Sequence, residues 1–221
     1  MVREKINRHF SVLKDISFLS IAHMIPTIIA AIFWFYVASL IGDIEYGKIT
    51  YYLTIAGIAS GITMLGASNS LAVYAAKGEK LLPSISVVTF TTSAIGAIVV
   101  FFIFYNPGAS IQAFSYVIFA LITAEFLGRK LFKTYMKIMI IQKSLMATLA
   151  ILLYHFVGID GIILGIAFSF IPFIILYYNE FKNNKIDFKS LKSKRKFILN
   201  NYLLDFSRMF SSSIDKIIIV P

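Results

Sequence analysis

The stretch "SFLSIAHMIPTIIAAIFWFYVASLI", residues 17–41, contains no Asp, Glu, Lys or Arg. A helix needs roughly 20 mostly apolar residues, rising ~1.5 Å each, to cross the ~30 Å hydrocarbon core of a bilayer. This segment is long enough, and too long for the apolar core of a signal peptide. No small-residue cleavage site follows the basic opening "MVREKINRHF". The stretch therefore reads as an uncleaved membrane span, and it sets the solvent for the rest of the chain.

Further mostly apolar stretches of spanning length follow at 49–76, 84–105, 111–128, 138–157 and 162–178. They are separated by "GDIEYGK", "KGEKLLP", "NPGAS", "RKLFKTYMK" and "GIDG". Such short connections make consecutive helices antiparallel neighbours. Composition agrees: 58% of the 221 residues are hydrophobic, 14% are charged, and the mean hydropathy is +0.81. A water-soluble globule is about half apolar and a quarter charged. The expected fold is all-α, a polytopic transmembrane bundle of six spans, with a seventh at the C-terminus and a cytoplasmic N-terminus.

Charge asymmetry supplies that orientation. With the N-terminus inside, the cytoplasmic segments hold Arg3, Lys5, Arg8 and Lys14, then Lys77 and Lys80, then Arg129, Lys130, Lys133 and Lys137. The last holds Lys182, Lys185, Lys189, Lys192, Lys194, Arg195 and Lys196, whereas the outer loops hold only Lys48. Basic residues concentrate in cytoplasmic loops, so topology explains most of the +10 net charge. No nucleic-acid partner is inferred from the basic run.

Four regions result. Residues 1–16 place Val2, Ile6, Phe10 and Leu13 at helical spacing among basic residues, which suggests an interfacial amphipathic segment. Residues 17–178 form the six-helix lobe, 179–196 a basic cytoplasmic linker, and 197–221 a seventh span that rises from the cytoplasm. The chain ends on "SSSIDKIIIVP", with no helix stop or polar tail, so it is expected to be cut off where another helix should turn or continue.

Catalytic signals are missing. There is no phosphate-binding Gly-rich loop, no His-x-x-x-His pair and no Ser nucleophile elbow. His9, His23 and His155 sit too far apart along the spans to converge on a metal, and cysteine is absent. The reading is of a non-enzyme without metal or cofactor.

Polar groups inside spans are costly and mark function by default. His23, Asn69, Glu125, Asp205 and Arg208 fall in the cytoplasmic half of four helices, a pattern that suits a hydrated cavity. Each also has a local explanation. Glu125 is four residues before Arg129, Asp205 and Arg208 are an i,i+3 pair, His23 precedes Pro26, and Asn69 lies among small residues. Gly57/Gly61 and Gly161/Gly165 are G-x-x-x-G pairs suited to close helix packing, and Pro26 and Pro172 are expected kinks.

Several stretches together resemble polysaccharide flippases of the multidrug/oligosaccharidyl-lipid/polysaccharide exporter superfamily. "IGDIEYGKITYYLTIAGIASGITMLGASNSLAVYAAK", residues 41–77, is similar to that family's first hairpin. Gly42, Tyr46 and Gly47 match its G-P-x-x-Y/F-G turn, with Asp43 where Pro is usual. "VGIDGIILG", residues 157–165, is similar to the L-G-x-x-G-x-x-L-G turn between the fifth and sixth helices. "SSSIDKIII", residues 211–219, resembles the start of the second lobe, with Asp215 and Lys216 at an acid–base pair. Many members place an Arg shortly after the Gly in the second helix, where this chain reads Leu71, Ala72, Val73, Tyr74.

The resemblance implies one lobe of a two-lobed transporter in a cell membrane, of the prokaryotic cytoplasmic type. It would flip a lipid-linked oligosaccharide or polysaccharide repeat unit by alternating access, in partnership with the bilayer, the lipid-linked glycan and the missing second lobe. Arg208, Asn69 and His23 are the expected substrate contacts. Asp205, Glu125, Asp215 and Lys216 are ion-pair or coupling candidates. The rival readings are a cation-coupled drug exporter of the same superfamily and a non-transporting membrane scaffold. An integral-membrane transferase fits less well, because the loops are short.

Overall fold

The computed structural model describes the backbone of residues 2–219 and the side chains of residues 13–207. All regular elements among them are helical: α1 (Val2–Met64), α2 (Ala67–Ala76), α3 (Leu82–Phe104), α4 (Pro107–Gly128), α5 (Phe132–Val157), α6 (Ile159–Phe168), α7 (Ile175–Asn183), α8 (Phe188–Ser193) and α9 (Arg195–Ile219). A 3-10 turn, Ile171–Ile174, joins α6 to α7. Five segments of the described residues are long and apolar enough to cross a membrane. They are Leu13–Met64 within α1, then α3, α4, α5, and Ile159–Asn183 through α6 and α7.

The breaks fall close to the expected interruptions but are shorter. The segment 42–48 is a one-residue hinge, since Gly42 alone leaves helical geometry (φ 73°, ψ 173°). Glycine tolerates a positive φ that would strain other residues. At "NPGAS" the helix restarts at once. Asn106 Oδ1 accepts a 2.8 Å hydrogen bond from the Ala109 N–H, and Pro107 occupies the first turn, where its missing N–H is harmless. Pro172 ends α6 in the 3-10 turn, as expected of proline. Pro26 instead sits inside α1 without a departure from helical geometry. One break was not foreseen: the second stretch, 49–76, is interrupted at Leu65 and Gly66, both at positive φ (51° and 70°).

The core is apolar, yet many large apolar side chains lie exposed while small hydroxyl residues are buried. Phe35 is 79% exposed, Ile32 66% and Phe102 64%, whereas Ser84, Ser86, Ser93 and Ser60 are buried. Small hydroxyl residues let helices approach, and large apolar ones face an apolar solvent. On α3, Thr92 donates across to the Thr63 carbonyl at 2.7 Å, and Gly96 packs on the Thr63 side chain. Helix α4 is central, with every residue from Val117 to Glu125 buried. α6 lies against α5 because Gly161 and Gly165 admit the backbone of Leu153 and Ala150. Gly57, by contrast, has open space where a Cβ would point.

The basic segments gather at one end. Lys194 pairs with Glu79 at 2.6 Å, Arg129 with Glu180 at 2.8 Å, and the Asp187 N–H donates to Ser84 Oγ at 2.7 Å. At the other end, Gly108 meets Ile163, and the Tyr51 ring lies 6.3 Å from that of Phe104.

Candidate functional site

The break at Leu65–Gly66 organises a polar seam between α2 and α9. A Cβ on Gly66 would collide with the backbone of Asn201 and Tyr202, so α9 passes directly over the break. Beside it, Asn201 Nδ2 donates to Ser70 Oγ at 2.9 Å, and Asn69 Nδ2 donates to Asp205 Oδ1 at 2.6 Å. Toward the basic end, the Phe197 ring meets the Tyr74 ring edge-on at 5.4 Å. Lys194 Nζ lies 5.2 Å over the same Tyr74 ring while pairing with Glu79. Phe197, Asn201 and Asp205 recur every four residues and so share one face of α9, with Lys194 just before its first turn. Their partners Tyr74, Ser70 and Asn69 descend α2 in the opposite order, and the two helices run antiparallel.

A second cluster closes the basic end of α4. Glu125 is fully buried, and its Oε1 is 2.6 Å from Arg129 Nη2. That contact misses hydrogen-bond geometry, and among the described residues neither Glu125 oxygen has a hydrogen-bond partner. Arg129 gives its well-aligned bonds to Glu180 as a fork, at 2.8 and 2.9 Å. Asn184 Nδ2 donates to Glu180 Oε2 at 2.9 Å. Burial opposes the Arg129 charge, but the bonds to Glu180 and the charge of Glu125 outweigh it and raise its pKa above the ordinary value. Nearby, Tyr177 Oη donates to the Ile118 carbonyl at 2.6 Å, which ties α7 to α4.

The structure brings together two of the expected cavity residues, Asn69 and Asp205. His23 is exposed on α1 with its ring 6.3 Å from that of Tyr135, and its carbonyl accepts from Thr27 Oγ1 at 2.7 Å. Glu125 has the Arg129 neighbour that i,i+4 spacing predicts, together with Glu180, which spacing does not reveal. Arg208, Asp215 and Lys216 lie outside the residues whose side chains are described. Asn201 and Ser70 were not singled out from sequence. The available signal was the spacing of Asn201, Asp205 and Arg208 along one helix face.

Among the described residues, no three His, Asp or Glu side chains are grouped to hold a metal ion. The seam offers amide donors and a carboxylate acceptor at a helix break. Such groups can bind polar parts of a solute or hold two helices in one of two arrangements. No protein-family model, curated protein or solved structure matches the chain.

Proposed function

We propose that this chain is a transporter lobe that flips a lipid-linked oligosaccharide or polysaccharide repeat unit across a cell membrane by alternating access, together with a second lobe. The observation that carries the reading is the α2–α9 seam. Irregular backbone at membrane depth is tolerated only where protein buries it or it lines a cavity, and transporter sites are typically built on broken helices. Here a break coincides with side-chain donors and an acceptor contributed by two helices. The order of the flippase-like motifs along the chain supports the same reading.

In this proposal the chain crosses seven times. The two limbs of α1 (the second continued by α2), α3, α4, α5, α6 with α7, and α9 are the crossings. The end that collects the basic segments faces the cytoplasm, as in a prokaryotic cytoplasmic membrane. Arg208, one turn beyond Asp205 in sequence, is the group assigned to the substrate phosphate. A guanidinium can grip a phosphate through two parallel hydrogen bonds, which an ammonium cannot.

The test is to deplete the protein in its host and measure lipid-linked glycan on each leaflet. Accumulation on the inner leaflet is expected, reversed by the wild-type protein and not by Arg208→Ala at equal membrane expression. Unchanged leaflet distribution would overturn the reading. Glu125, buried without a hydrogen bond, favours a second reading as a cation-coupled exporter. That reading is selected if depletion sensitises cells to cationic drugs while glycan distribution stays constant.

A further inference from the structure

A pocket of about 480 Å³ opens between the α1–α2 break, α3 and the α8–α9 segment. Its size lies within the roughly 300–1,000 Å³ range of small-molecule sites. Met64, Leu65, Ile85 and Val88 form one wall, and Leu191 and Ile198 the other. The Thr89 hydroxyl inside is already spent on the Ile85 carbonyl at 2.9 Å, so the interior presents apolar surface. The charged groups lining it are Lys192 and Arg195, both exposed. Among the described residues neither is paired with a carboxylate, and the two acids in the adjoining segments are engaged elsewhere. Glu79 holds Lys194, and Asp187 caps α8 by accepting from the Ser190 N–H at 3.0 Å.

We propose that this pocket holds an acyl chain of an anionic phospholipid from the surrounding bilayer, with the headgroup phosphate between Lys192 and Arg195. An apolar slot with unpaired cations at its mouth complements an amphiphile that carries negative charge at one end. Basic pockets between transmembrane helices bind phospholipid headgroups for this reason. The bound lipid would brace the α8–α9 segment against α3. The site requires only that the chain lies in a bilayer, and it stands or falls separately from the transport reading.

The experiment titrates the full chain in detergent with phosphatidylglycerol or phosphatidylcholine of identical acyl chains, counting bound lipids by native mass spectrometry. The first phosphatidylglycerol should bind more tightly than phosphatidylcholine. Lys192→Ala/Arg195→Ala should erase that preference, roughly fivefold for each cation removed. Lys189→Ala, outside the pocket, should retain it, and Val88→Trp, which fills the slot, should abolish the first binding event for both lipids. Equal affinity of wild-type protein for the two lipids would overturn the proposal, as would a preference that survives the double substitution. Glycerol phosphate competing as well as intact phosphatidylglycerol would show that no acyl chain is held. Displacement by a polyprenyl phosphate at lower concentration would assign the pocket to a transport substrate instead of a resident phospholipid.

Discussion

The Asn69 side-chain amide donates to Asp205 Oδ1 at 2.6 Å, joining α2 to α9 across 136 positions of chain. Asn201 and Ser70 repeat the link one turn away. The contact turns two polar groups from separate helices into one interhelical unit. Its strength is measurable. Interhelical hydrogen bonds in membrane proteins average about 0.6 kcal/mol and reach about 1.7 kcal/mol in double-mutant cycles. A cycle of Asn69→Ala and Asp205→Ala, read by unfolding in detergent, should give a coupling in that range. Strict additivity would mean that the bond does not hold the helices.

Gly66 permits the contact. Its φ of 70° disfavours any side chain, and a Cβ would meet the backbone of Asn201 and Tyr202. Gly66→Val should therefore displace α9. The chain contains no cysteine, so Ser70→Cys/Asn201→Cys supplies a unique pair. A short bis-maleimide, which alkylates both thiols, should crosslink that pair in an otherwise wild-type background and fail once Gly66→Val is added. Undiminished crosslinking would show that α9 does not rest on Gly66.

Arg129 neutralises a carboxylate that has no hydrogen-bond partner. Removing one member of a buried pair costs about 3–5 kcal/mol, because the other charge is stranded. Arg129 is 28% exposed, so Arg129→Ala should fall at the lower end, about 3 kcal/mol. Arg129→Ala also strands Glu180, which accepts its fork at 2.8 and 2.9 Å, so adding Glu125→Gln removes one of two stranded charges and should recover part of the loss in a thermal unfolding assay. A single variant as stable as wild type would show that Glu125 carries no charge there.

The two G-x-x-x-G pairs should behave differently. Gly165→Ala drives a methyl into the backbone of Ala150, and overpacking of this kind costs about 1–3 kcal/mol. Gly57→Ala meets open space in a helix and should be neutral or stabilising by up to ~1 kcal/mol. Equal responses in detergent unfolding would contradict the α5–α6 packing.

Orientation is open to labelling. Asp160 and Lys185 are exposed at opposite ends of the Ile159–Asn183 segment. With Asp160→Cys, a membrane-impermeant maleimide should react from outside intact cells. With Lys185→Cys, it should react only after permeabilisation. The reverse pattern would invert the proposed topology.

That several helices are long and apolar enough to cross a membrane was legible because it depends on each segment alone. An uncharged run such as 17–41 has one economical solvent, and caps such as Asn106–Pro107 act within a single turn. Pro172 and Glu125–Arg129 are local in the same way. Partner choice is not local. Every apolar helix face is compatible with lipid, so hydropathy does not say which face meets protein. For that reason Gly57/Gly61 and Gly161/Gly165 looked alike in sequence, although Gly165 is packed and Gly57 is not. The helix break at Gly66, the bond from Asn69 to Asp205 and the addition of Glu180 to the Glu125–Arg129 pair each needed the tertiary structure. Each joins residues from separate helices, and only three-dimensional packing decides which of them meet.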